Sequence, residues 1–174
     1  VEGFHKDYYP LSVLAEYLSI GKKAPLYQVL VEEQKLTARV SMYNSSSELA
    51  GQMSLRVRAF PDTDLDTVFT AIEKAMRMFE SNGIPEADLQ RIIAGMETDF
   101  YMQLSDVDGK AIQLAHNNIF TGDPGYSEKE LKQMLQVTTA DVLRVYNTYL
   151  KNSNFVATSF VPKGQQQLSL EGSV

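Results

Sequence analysis

Residues 37–59 read TARVSMYNSSSELAGQMSLRVRA, a stretch in which apolar and polar residues alternate on both sides of a serine-rich centre. An alternation of two residues is typical of a β-strand that buries one face. The segment 44–47, Asn-Ser-Ser-Ser, contains residues that favour turns, so the whole stretch predicts a β-hairpin. The apolar positions expected to face the core are Ala38, Val40, Met42, Met53, Leu55, Val57 and Ala59.

Helical periodicity, with apolar residues three or four positions apart, is found on both sides of this hairpin. Before the hairpin, the spacing predicts a helix over 9–20 that ends at Gly21 and a shorter helix over 26–33 that follows Pro25. After it, the pattern predicts helices over 64–80, from Pro85 onward, over 109–120, and in two short segments begun by the capping-box pairs Ser127 with Glu130 and Thr138 with Asp141. A last strand is predicted over 155–161.

The order of these elements indicates an α+β fold, because runs of like elements replace strict alternation of strands and helices. We expect two layers, with an antiparallel or mixed β-sheet, made of the hairpin and the C-terminal strand, covered on one face by several long helices. The 174 residues fit a single domain, and no internal repeat divides them. The predicted domain covers residues 1–163, and a polar C-terminal tail covers 164–174.

The composition of the chain excludes several classes of function. The 16 lysines and arginines against 22 acidic residues give a net charge of -6, which disfavours binding to a nucleic-acid backbone. No cysteine is present, which removes disulfides, thiolate nucleophiles and sulfur-ligated metal sites. No apolar run approaches the ~20 residues that cross a bilayer, so no membrane partner is expected.

Histidine is too scarce for a zinc centre, which needs at least three protein ligands. The chain has only His5 and His116, and the positions one helical turn from His116 hold isoleucine, glutamine and phenylalanine. Carboxylate pairs such as Glu32 with Glu33 are common in an acidic chain, so we interpret them as solvated surface residues and not as a catalytic acid and base. The sequence therefore predicts no catalytic residue and no metal ligand in this chain.

Three arginines form the one group of side chains that a generally acidic surface does not explain. Arg39, Arg56 and Arg58 all fall on the polar face of the predicted hairpin, opposite the face that the helices should cover. Guanidinium groups bind carboxylates and peptide carbonyls through several hydrogen bonds. We interpret this face as a candidate surface for a substrate or partner, and the alternative is an exposed sheet face kept soluble by charge.

The order of elements and five local strings resemble the non-catalytic domain of insulinase/pitrilysin-type zinc metallopeptidases, a family that includes the mitochondrial processing peptidases. The strings are LSVLAEYLSIG at 11–21, APLYQVLVEEQKL at 24–36, NGIPEADL at 82–89, and GDP at 122–124 followed by VTTADV at 137–142. The family's zinc motif, His-x-x-Glu-His, does not occur in this chain. The resemblance spans about residues 3–162 and implies a metallopeptidase-like fold without the catalytic site.

The resemblance also implies a role in a larger protein. Family members consist of two homologous halves that enclose a chamber, and zinc is bound by the first domain of the first half. This chain would be a chamber-forming domain, inert in isolation, whose partners are the parent's other domains and a peptide substrate. Where second-half domains carry a substrate-contacting arginine and tyrosine, this sequence has Val31 and Ala38, so no catalytic residue carries over.

Two further expectations come from the resemblance. The family's domain usually begins with a strand, whereas here the opening helix starts almost at once, which implies an unpaired sheet edge through which the chain could self-associate.

The second interpretation of function is a domain of a non-catalytic assembly or core subunit with the same fold, and a third is a free-standing acidic binding module. The compartment stays open between the bacterial periplasm, which family habit favours, and the cytoplasm.

Overall fold

A computed structural model gives the structure of the chain and describes residues 1–173. Within these residues, the chain forms seven α-helices and one β-hairpin. The elements are α1 (Tyr8–Ser19), α2 (Pro25–Tyr27) continued by a π-helical turn (Gln28–Glu33), β1 (Thr37–Ser46), β2 (Gly51–Ala59), α3 (Leu65–Asn82), α4 (Glu86–Gln103), α5 (Val107–Thr121), α6 (Ser127–Leu135) and α7 (Thr139–Val145), followed by a second π-helical turn (Tyr146–Leu150) and a 3-10 turn (Gln166–Leu168). The α+β fold class is thereby confirmed.

The two strands pair antiparallel, as the alternation predicts, with one irregularity near the start of β1. Val40 pairs with Val57 and Thr37 with Ala59, so one extra residue of β1 lies between these pairs and forms a β-bulge. As a result, Thr37 is buried and Ala38 is exposed. The prediction that Ala38 faces the core is wrong, because a bulge shifts the alternation by one residue.

The turn of the hairpin lies three residues later than predicted. Ser47 N donates a hydrogen bond to Ala50 O at 2.8 Å, and residues 44–46 belong to β1. Asn44 does not form the turn, because its Nδ2 donates to Tyr8 O and to Ser12 Oγ, both at 3.2 Å. These bonds fix the end of β1 to the first turns of α1.

The core lies between the hairpin and the helices, and α1 is its centre. Eight of the 12 residues of α1 are buried, adjacent positions among them, so this helix is enclosed on most sides by β1 and by other helices. Ser19 ends this helix with a buried hydroxyl that accepts a hydrogen bond from Met42 N at 3.0 Å. The largest fully buried side chains are Leu11, Val13, Leu14, Leu18, Leu26, Val29, Leu30, Phe79, Leu89, Ile92, Val142 and Val145.

The predicted C-terminal strand is not formed, and this part of the fold prediction is wrong. Among residues 1–173 the sheet contains β1 and β2 alone, and residues 155–161 form no regular secondary structure. The segment instead contacts α3, where the Phe155 ring stacks on Phe69 at 5.7 Å between centroids. A run of β-branched and aromatic residues becomes a strand only beside a sheet edge, and this segment lies against a helix.

One of the two predicted capping boxes is present. Thr138 Oγ1 accepts a hydrogen bond from Asp141 N, and Asp141 Oδ2 accepts one from Thr138 N, both at 3.1 Å, at the start of α7. The pair Ser127 and Glu130 does not form such a box, because both side chains bond to other elements of the fold. None of the helices in the described part of the chain is long and apolar enough to span a bilayer.

Candidate functional site

The outer face of the hairpin, defined here by Arg39, Ser41, Tyr43, Arg56 and Arg58, carries the three arginines that the sequence analysis singles out. Arg56 pairs with Ser41 across the strands and therefore shares its face. Arg58 lies two residues further along β2 on the same face. Arg39 lies in the bulge opposite Arg58, and all three arginines are exposed.

The arginines of the outer face are free to bind a ligand. None of the three takes part in an ion pair within residues 1–173. The Arg56 guanidinium lies 5.3 Å from the centre of the Tyr43 ring, an arrangement that orients the cation without neutralising it. Tyr43, two residues after Ser41, lies on this face by the same alternation, although nothing in the local pattern distinguishes it from the other polar-face residues. The surface thus offers guanidinium donors beside an aromatic ring.

The strand beneath this face is held by hydrogen bonds to α1. Ser19 Oγ accepts a hydrogen bond from Met42 N. Asn44 Nδ2 donates hydrogen bonds to Tyr8 O and Ser12 Oγ in the first turns of the helix. The side chains of Val40 and Met42 are buried against the same core. A surface fixed by both apolar packing and hydrogen bonds presents its side chains in a defined geometry.

A buried carboxylate, Asp7, joins the beginning of α1 to the C-terminal helices. Asp7 is 3% exposed, and its two oxygens accept hydrogen bonds from Arg144 Nη2 at 2.8 Å and from Tyr149 OH at 2.7 Å. Burial alone would raise the pKa of Asp7, but the bonds from Arg144 and Tyr149 and the charge of Arg144 together lower it. Every oxygen of this carboxylate is engaged, so its role is to hold the fold together.

Two other carboxylates bind buried tyrosines in the same way. Glu130 accepts Tyr9 OH at 2.9 Å and Gln113 Nε2 at 2.8 Å, and burial together with the Glu130 charge raises the pKa of Tyr9. Glu80 accepts Tyr146 OH at 2.7 Å, where burial and this hydrogen bond raise the pKa of the tyrosine. These tyrosines stay neutral at ordinary pH and act as structural hydrogen-bond donors.

The two histidines lie in separate surroundings. His5 Nδ1 accepts a hydrogen bond from Asp7 N at 3.1 Å, and the His116 ring packs beside Phe120 at 4.7 Å and Phe4 at 5.4 Å between centroids. Within residues 1–173 no group of three histidine, aspartate or glutamate side chains is arranged to hold a metal ion. The residues present therefore do not fit the zinc that the family resemblance implies for the parent protein.

Comparison with protein families gives a match over the first half of the chain. The family described as Peptidase M16 inactive domain matches residues 2–96, which extend from the residues before α1 into α4. Comparison with curated protein sequences gave no match. The family match includes the hairpin and with it the three arginines of the outer face.

Solved structures resemble the chain over most of its length. The inactive peptidase domain of a proposed zinc protease from Bordetella parapertussis is 19% identical, with a TM-score of 0.76, over 86% of this chain and 81% of that chain. A protease from Helicobacter pylori is 22% identical, with a TM-score of 0.72, over 87% of this chain and 36% of that chain. A chain of Complex III2 from Candida albicans is 16% identical, with a TM-score of 0.67, over 84% of this chain and 37% of that chain.

These likenesses concern the fold, since every identity is below 25%. The chain spans most of the Bordetella domain but only about a third of the Helicobacter and Candida chains. The same architecture is therefore one part of the longer Helicobacter and Candida chains, and in Bordetella it is described as one domain of a protease.

Proposed function

Because this chain belongs to the peptidase M16 inactive-domain family, we propose that it is a non-catalytic, substrate-enclosing domain of a zinc-dependent endopeptidase of the insulinase/pitrilysin type. The observation that carries the proposal is the family match over residues 2–96, more than half of the chain. The fold supports it, because the carboxylates of Asp7, Glu80 and Glu130 are engaged by structural tyrosines and an arginine. The domain covers residues 1–163, and 164–174 follow as a tail.

In this proposal the outer face of the hairpin lines the space that holds the peptide. Arg39, Arg56 and Arg58 are exposed donors, and none of them pairs with a carboxylate within residues 1–173. A peptide offers carbonyl oxygens along its backbone and carboxylates on acidic side chains, which are the acceptors that a guanidinium recognises. Zinc and the groups that act on the scissile bond belong to another domain of the parent, which this chain supports.

Charge reversal on the hairpin, made in the full-length parent protein, tests this role. We expect Arg56→Glu with Arg58→Glu to raise the KM for peptide substrates, because repulsion of backbone carbonyls and acidic side chains replaces attraction. The matched control is Arg77→Glu with Arg91→Glu on α3 and α4, which makes the same change of net charge away from the hairpin. Unchanged turnover and unchanged partner binding in the hairpin variant would contradict a role for this face.

A second candidate function is that of a domain in a non-catalytic assembly or core subunit. The likeness to a chain of Complex III2 from Candida albicans favours it. The two candidates differ in what the parent's catalytic-type domain contains. An intact His-x-x-Glu-His motif in the full-length sequence supports the peptidase, and its absence supports the assembly role.

A further inference from the structure

The outer face of the hairpin carries positive charge that no acidic residue of either strand balances. Among residues 37–59 the only acidic residue is Glu48, which lies in the turn between β1 and β2. Arg39 and Arg58 lie at the opposite end of the hairpin, and Arg56 is two residues from Arg58. The chain as a whole has a net charge of -6. The outer face therefore differs in sign from the rest of the molecule and attracts anionic groups.

The spacing of Arg56 and Arg58 fits an extended peptide. The two residues are neighbours on the same face of β2, so their Cα atoms lie about 7 Å apart. In an extended peptide, side chains two residues apart share one face and have the same repeat. Two carboxylates at positions i and i+2 of such a peptide can therefore bind both guanidinium groups at once. Two adjacent carboxylates point to opposite sides and cannot.

Strand β1 adds a further donor and an aromatic ring to this pair. Arg39 lies in the bulge opposite Arg58, on a strand about 4.8 Å away, and supplies a third guanidinium group. The Tyr43 ring lies 5.3 Å from the Arg56 guanidinium and packs on its face. A guanidinium that packs on a ring through its face keeps its N–H groups at the edge, where a carboxylate can accept two parallel hydrogen bonds.

The composition of the outer face suits a ligand that binds and leaves better than a permanently docked domain. The buried centre of a stable interface is depleted of charged residues and enriched in apolar ones. The outer face contains three arginines, a serine and a tyrosine, and Ser54, which pairs with Tyr43, is also polar. No aliphatic side chain is among them. Ion pairs at such an exposed surface are individually weak, which allows a bound peptide to be released.

We propose that the outer face selects peptides in which two acidic residues lie two positions apart, Glu-x-Glu or Asp-x-Asp, with their carboxylates on Arg56 and Arg58. This selection rests on the proposed function, because it requires the outer face to border the space that holds the peptide. It adds the class of substrate. Extended acidic segments are favoured, and basic segments are repelled by the same three arginines.

Fluorescence anisotropy of labelled peptides with the full-length parent, in a chelator that prevents cleavage, tests the selection. The peptides differ in one pair of residues only, which is Glu-x-Glu, Glu-Glu, Gln-x-Gln or Lys-x-Lys. We expect Glu-x-Glu to bind with a Kd at least about threefold below that of Gln-x-Gln. The Kd of Glu-Glu should lie between these two, and Lys-x-Lys should bind most weakly. Rising salt should reduce the differences, because the arginines are exposed.

Substitutions on the hairpin assign the selection to the two arginines of β2. Arg56→Gln with Arg58→Gln should abolish the preference, and Arg56→Glu with Arg58→Glu should reverse it in favour of Lys-x-Lys. Arg77→Gln with Arg91→Gln on α3 and α4 is the matched control and should keep the order of the wild type.

Equal Kd values for Glu-x-Glu and Gln-x-Gln in the wild type would overturn the proposal. So would a preference that survives in the hairpin glutamine variant, or a lower Tm of the parent in that variant alone, which would show that the arginines bind another domain. Cleavage of the same peptides with zinc tests the proposed function separately. Cleavage that ignores the acidic pair leaves the proposed function intact and contradicts the selection, whereas selective binding without any cleavage does the reverse.

Discussion

Helices α1 and α5 are both rich in apolar residues, yet they pack in opposite ways. Eight of the 12 residues of α1 are buried, whereas one of the 15 residues of α5 is, and that residue is the polar Asn117. Ile112 and Ile119 of α5 remain exposed. Helix α1 lies between β1 and several helices, whereas within residues 1–173 no comparable set of elements encloses α5. Apolar spacing thus predicts a helix, but burial depends on what faces it.

The largest effect should come from removing the same side chain from each helix. Leu14 of α1 is 0% exposed and Leu114 of α5 is 51% exposed. Leu14→Ala should lower the free energy of unfolding by about 2–5 kcal/mol, because it leaves a cavity in the packed core. Leu114→Ala should change it by less than about 0.5 kcal/mol. Urea unfolding measures both, and equal losses would contradict the contrast between the helices.

The next largest effect should come from the carboxylate that fixes the start of α1. Asp7→Asn removes the charge that Arg144 Nη2 and Tyr149 OH bind, and should cost about 2–3 kcal/mol. Tyr149→Phe removes one of these hydrogen bonds and should cost about 1 kcal/mol. Urea unfolding at neutral pH measures both changes. A larger loss for Tyr149→Phe than for Asp7→Asn would contradict the view that the charge of Asp7 is the main source of this stabilisation.

The contribution of Asp7 should also depend on pH. Its pKa is lowered in the folded chain from the ordinary 3.8, so the unfolded chain takes up the proton first as the pH falls. The stabilisation is therefore fully present above about pH 5 and is lost as the pH falls through the folded-state pKa. The difference in stability between wild type and Asp7→Asn should be constant near neutrality and shrink below about pH 4. A difference that grows on acidification would contradict the sign of this shift.

A smaller effect should come from Asn117, the buried residue of α5. Its Nδ2 donates to Ser127 Oγ at 3.0 Å, and its Oδ1 accepts from Gln113 Nε2 at 3.3 Å. Asn117→Ala should cost about 1–2 kcal/mol, because it leaves buried polar partners unsatisfied. Asn118→Ala, at the exposed neighbouring position, should change the stability by less than about 0.5 kcal/mol. Equal effects would show that α5 is not held by this polar contact.

The sequence predicts the elements of this fold well where local pattern and tertiary contact agree. The hairpin, the long helices and the capping box of Thr138 follow from periodicity and from hydrogen bonds within a few residues. Ala38 was misplaced because a bulge depends on both strands. Ser127 and Glu130 have the spacing of a capping box but bind residues of α5 and α1, far away in sequence.

In the candidate site, too, some features follow from local sequence pattern and others require the fold. The alternation along β2 places Arg56 and Arg58 on one face, and only the pairing across the strands places Tyr43 beside Arg56. The segment 155–161 has the composition of a strand, but composition does not state which edge it would join. Local pattern therefore predicts the face, and the partners across it require the fold.

We propose that this chain supports a catalytic site located on other domains of its parent. The most direct test is to incubate the chain with an unstructured peptide, with zinc and with zinc plus a chelator, while calorimetry measures zinc binding. We expect no cleavage under either condition and no stoichiometric zinc binding. Cleavage that requires zinc and stops with the chelator, together with binding of one zinc ion per chain, would contradict it.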